Sequence, residues 1–114
     1  MILVAVRDLL FRSKIDAAAQ RLGVEIAHAP RDGPLAAAVE ARKPSLLLAD
    51  LSQPGALDAL REVRALAAPP RIVGFLGHLS TDLMDEARTL GVDEVLTRGQ
   101  LAGSLDRVLA SVGR

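Results

Sequence analysis

Asp50 is the residue best placed to do chemistry. It ends an apolar run, Ser45–Asp50 (SLLLAD), after which the chain reads LSQPG through Pro54 and Gly55. Branched aliphatics closed by a single carboxylate put that acid at the carboxyl end of a buried strand, where ligands collect in open α/β sheets. Pro54 and Gly55 then turn the chain sharply away. An acid so placed accepts a phosphoryl group, ligates a metal, or forms half of an ion pair, and its neighbours decide which. Other reactive groups are scarce. Cysteine is absent, which excludes disulfides, thiolate zinc sites and thiol nucleophiles. His28 and His78 are too few for a histidine-rich metal site. His78 lacks a Ser, Cys or metal partner and reads as a surface residue; His28, on a predicted edge strand, is expected to face solvent. Gly74 and Gly77 read as packing and turn glycines, since neither a G-x-G-x-x-G fingerprint nor a P-loop is present.

The elements that must hold Asp50 alternate along the chain. Met1–Val6 is an apolar run of strand length. Leu9–Leu22 carries Ile15, Ala18, Ala19 and Leu22 on one helical face and stops at Gly23. Val24–Ala29 alternates as an edge strand does. Leu35–Arg42 is an alanine-rich helix between Pro34 and Pro44. After the Asp50 strand come a helix over Leu57–Leu66, ended by Pro69-Pro70, and a buried strand, Arg71–Leu76. A further helix has Ser80 or Thr81 as its cap and Asp82, Asp85 and Glu86 near its start, where acids suit a helix and a solvated face. Asp93–Thr97 is a short mixed strand, and Leu101, Leu105, Val108, Leu109 and Val112 mark a closing helix. Five strands alternating with five helices predict one doubly wound, flavodoxin-like α/β domain over residues 1–114. An order 2-1-3-4-5 puts the apolar strands inside and the mixed ones at the edges.

Composition narrows the function. Fourteen basic and fourteen acidic residues leave no net charge to draw nucleic acid or an anionic membrane. Two Phe, with no Tyr or Trp, provide no platform for stacking bases. No apolar run nears the length of a membrane span, and the start lacks the basic segment of a signal peptide. The expected location is the cytoplasm.

With that strand order in place, the chain resembles a response-regulator receiver domain over nearly its whole length. The most specific match is LLLAD ending at Asp50 with Pro54-Gly55 following; the others are Val6-Arg7-Asp8, Phe75-Leu76-Gly77-His78 and Val95-Leu96-Thr97-Arg98-Gly99. The resemblance implies a pocket in which two acids after the first strand join the acceptor Asp around Mg²⁺. A Ser or Thr after the fourth strand and a Lys after the fifth bind the phosphoryl oxygens, and an aromatic on the fifth strand relays the change. Here Arg7 stands for the first acid, leaving Asp8. Leu76 is read as replacing the hydroxyl residue, Arg98 the Lys, Gly99 the Pro after it, and Val95 the aromatic switch. Asp8 and Asp50 against Arg7 and Arg98 give a formal pocket charge of zero, where the family's three carboxylates and one ammonium give about −2, a balance that suits a hard dication. A guanidinium at ~4 Å from such an ion, with an effective dielectric near 20, opposes it by several kcal/mol. Mg²⁺ is therefore expected to bind weakly or not at all, through Asp8 and Asp50 if it binds, and Asp50 is expected to pair with Arg7 or Arg98.

Three functions follow from this reading. The first is a degenerate receiver in two-component-type signalling, without enzymatic activity, that contacts another signalling protein or a second copy of itself without phosphorylation. The resemblance points to the fifth strand and last helix as the contact face, with Arg107 and Asp106 outermost. The second is a working phosphoacceptor, modified on Asp50 by a histidine kinase. The third is a sensor of a small anion held by Arg7 and Arg98.

Overall fold

Strand residues alternate between two faces, and in this chain both faces are apolar, so the sheet must be covered on both sides. The computed structural model describes residues 1–77 and 80–111, and it shows that arrangement. The order is β1 (Ile2–Ala5), α1 (Leu9–Leu22), β2 (Ile26–His28), α2 (Leu35–Arg42), β3 (Leu46–Asp50), α3 (Ala56–Arg64), β4 (Arg71–Leu76), α4 (Thr81–Leu90), β5 (Glu94–Thr97) and α5 (Arg98–Ala110). All pairings are parallel and the sheet runs β2-β1-β3-β4-β5, as predicted. No helix among the described residues is long and apolar enough to cross a membrane. His78 and Val112 lie outside the described residues.

Parity assigns each strand side chain to one of two cores. Ile2, Val4, Leu46, Leu48, Val73 and Phe75 point to the side covered by α1 and α5. Leu3, Leu47, Ala49, Ile72 and Leu76 point to the side covered by α2, α3 and α4. Gly74 is needed on that second side: a β-carbon there would lie 2.8–2.9 Å from the Leu51 side-chain carbons, which are themselves buried.

The edges are shorter than predicted. β2 keeps three residues of the expected six, because only β1 pairs with it. At the other edge, α5 starts three residues before the apolar pattern does. Thr97 accepts from the Gln100 amide while the Gln100 side chain accepts from the Thr97 amide, a reciprocal cap that draws Arg98 and Gly99 into the first turn. Farther on, the Ser104 hydroxyl donates to the Gln100 carbonyl at 2.6 Å and the backbone kinks at Ser104.

Candidate functional site

The loops after β1, β3, β4 and β5 meet at one end of the sheet, and the residues singled out in the sequence lie there in two groups. The first group is centred on Asp8. It is the N-cap of α1: its Oδ1 accepts from the amides of Leu10 at 3.0 Å and Phe11 at 3.3 Å. Its Oδ2 is held by the Arg98 guanidinium in a short, charge-assisted hydrogen bond. That guanidinium also lies over the rings of Phe11, 5.3 Å from the centroid, and Phe75, 5.9 Å away. The two rings are themselves 5.0 Å apart. The only aromatic side chains of the protein thus meet under one cation. Nothing in the sequence pattern marked them, because Phe11 and Phe75 belong to different elements and come together only through the packing of α1 on β4.

The second group is centred on Asp50, 4% exposed and the one charged residue buried among those described. Its expected cation is not there. Oδ1 accepts from the Ser52 amide at 2.9 Å and Oδ2 from the Gln53 side-chain amide at 3.2 Å, so two neutral donors from the LSQPG turn satisfy it. Arg98 is committed to Asp8, and Arg7, exposed, forms no ion pair among the described residues. The proposed anion clamp of Arg7 and Arg98 is likewise divided, since only Arg7 lines the groove beside Asp50.

Strand parity corrects one assignment. Leu76 does not face Asp50: it is fully buried in the core under α2, α3 and α4. Asp50 and Phe75 are register partners on the opposite side of the sheet, and continuing the alternation past Leu76 brings Gly77 to that side. Gly77 is the position beside Asp50; its amide donates to the Ser52 hydroxyl at 3.1 Å. Val95 is buried in the same core as Leu76, away from the Phe pair. His28 is not simply solvated: its Nε2 lies 2.7 Å from Asp16 Oδ1, while Nδ1 is buried without a partner.

These residues do not fit a Mg²⁺ ion. Each of the four oxygens of Asp8 and Asp50 already accepts a hydrogen bond, and one of them is held by a cation. Among the described residues, no three acids or histidines gather closely enough to hold a metal. A hard dication seeks several oxygen ligands, and here it meets a guanidinium in contact with one of the two carboxylates.

The Arg98 hydrogen bond, and after it the Phe11 amide, hold the Asp8 carboxyl below its ordinary pKa; burial opposes them more weakly. A depressed folded-state pKa contributes stability that is complete above the unfolded carboxyl pKa and fades as pH falls through the folded value. The stability difference between the native protein and Asp8→Asn is therefore expected to be full at neutral pH and to shrink steadily toward about pH 3, as measured by urea unfolding across that range. A difference independent of pH would show that the charge of Asp8 contributes nothing.

No family model matches the sequence, and no curated protein does. Solved structures do. A receiver-domain response regulator from Bermanella marisrubri is 27% identical, with a TM-score of 0.78, 96% of this chain and 97% of that one being covered. A DNA-binding response regulator of the LuxR family from Staphylococcus aureus is 16% identical with a TM-score of 0.79, covering 96% and 94%. A Burkholderia pseudomallei response regulator, solved with a phosphorylated aspartic acid and a calcium ion, is 20% identical with a TM-score of 0.79, covering 96% of this chain and 66% of that one. Each of the three overlaps 96% of this chain, so in fold the chain is similar to response-regulator receiver domains.

Proposed function

We propose that the protein is a receiver domain of two-component signalling that acts by contact with another signalling protein, or with a second copy of itself, without being phosphorylated. One observation carries this reading. The carboxylates that would hold the metal are occupied by the protein's own donors, with Arg98 bound to Asp8. Phosphoryl transfer depends on positioning and on charge neutralisation by a metal. A guanidinium salt-bridged to Asp8 supplies a fixed positive charge in its place, which favours a single conformation. The large apolar side chains open to solvent among the described residues are Leu9, Leu10 and Leu22, all on α1. Contact through α1 has anchors that α5 lacks, where Arg107 is engaged with Glu94 and Asp106 with Arg21.

The test is a titration with beryllofluoride and Mg²⁺, which together mimic a phosphoryl group, followed by amide NMR. The expected result is no saturable shift at residues 50–55, or at Asp8. Saturable shifts centred on Asp50 would overturn the proposal and favour a working phosphoacceptor.

A further inference from the structure

A groove of about 460 Å³ opens at the carboxyl end of the sheet, over β1 and β3 and between α2 and α3. Its charges are sorted by wall. Arg7, Arg12 and Arg31 come from the β1–α1 segment and the loop after β2; Asp50, Asp58 and Glu62 come from the end of β3 and from α3. The lining is formally neutral but bipolar. Its basic side is uncommitted: among the described residues none of the three arginines forms an ion pair. On the acidic side Asp58 pairs with Arg61, while Asp50 is buried with only neutral donors. The hydrogen bonds of Asp50 are satisfied, but its charge meets no counter-cation among the described residues. The volume is that of a small-molecule pocket, and the wall between the charges is apolar, with Ala5, Pro34 and Leu35.

The geometry points to a binding site for a small zwitterion. Its ammonium group lies toward Asp50 and the α3 acids, and its carboxylate or phosphate toward the three guanidiniums. A simple anion is repelled by the acidic wall and a simple cation by the basic one; a molecule carrying both charges satisfies each. Arginine provides the forked donors that suit carboxylates and phosphates. This site is independent of the proposed function, since a groove that binds such a ligand is compatible with a receiver that is or is not phosphorylated.

The test uses three zwitterions of different charge separation, L-leucine, γ-aminobutyrate and O-phosphoethanolamine, each titrated into the whole protein and followed by amide NMR. Half-molecules serve as single-charge controls: 4-methylpentanoate and 3-methylbutylamine for L-leucine, butyrate and propylamine for γ-aminobutyrate, and ethyl phosphate and ethylamine for O-phosphoethanolamine. At least one zwitterion is expected to saturate with a Kd of about 1 mM or tighter, shifting residues along the groove, with its half-molecules bound at least ~10-fold more weakly. Arg31→Gln and Glu62→Gln, both at exposed positions, are each expected to weaken that zwitterion severalfold while leaving the fold's spectrum intact. The inference is overturned if no zwitterion saturates, if an acid or amine alone binds as tightly as its parent, or if binding survives both substitutions unchanged.

Discussion

Phe75→Ala is expected to cost about 3–5 kcal/mol of folding stability, measured by urea unfolding, the range for removing a fully buried aromatic side chain. Phe75 is 0% exposed, sits in mid-sheet beside Asp50, and packs its ring on Phe11 under the Arg98 guanidinium. Its removal opens a cavity, takes away one half of the aromatic pair, and loosens the cation that holds Asp8. A typical domain has only ~5–15 kcal/mol in total, so the variant is expected to unfold near the lower limit of measurable stability. Phe75→Leu, which keeps most of the volume, is the companion measurement. If Phe75→Leu costs almost nothing while Phe75→Ala costs the full amount, the ring contributes little beyond bulk and the aromatic pair is incidental.

The second large effect separates two neighbours. Leu76→Ser removes a fully buried side chain and puts a hydroxyl into the core under α2, α3 and α4, at a cost of about 2–5 kcal/mol. Gly77→Ser is expected to stay within about 0.5 kcal/mol of the native protein, because a β-carbon there meets nothing within 4 Å. The prediction is therefore that a hydroxyl is tolerated beside Asp50 one residue later than the motif alignment suggested. Equal costs at the two positions would mean that the face assignment of β4 is wrong.

That displacement shows what the sequence could carry. The continuous apolar runs and the mixed runs were enough to order the sheet, since a strand buried on both faces differs in composition from one at an edge. The spans of α1, α2 and β4 were readable from helical spacing, Gly23 and the flanking prolines. The start of α5 was missed: its signal is Thr97 and Gln100 three residues apart, whereas the apolar pattern begins only at Leu101. The resemblance marks Asp8 only as a pocket acid, although its place directly before a helical pattern is the signal for the N-cap it forms. Two things could not be read locally. Which carboxylate Arg98 would take depends on the approach of α1 and α5, ninety residues apart in the chain. Which of Leu76 and Gly77 faces Asp50 depends on the register of β4 against β3, and a slip of one residue reverses every side chain.

The shortness of β2 and the charged edge at β5 have a consequence for behaviour at high concentration. Three residues at one border offer too few unpaired backbone groups to template an incoming strand. At the other border Glu94 is bracketed by Arg71 and Arg107, so a neighbouring chain would have to bury charges to add itself. The molecule is thereby guarded against fibril growth along its hydrogen-bonding direction, and crowding should leave it dispersed rather than stacked.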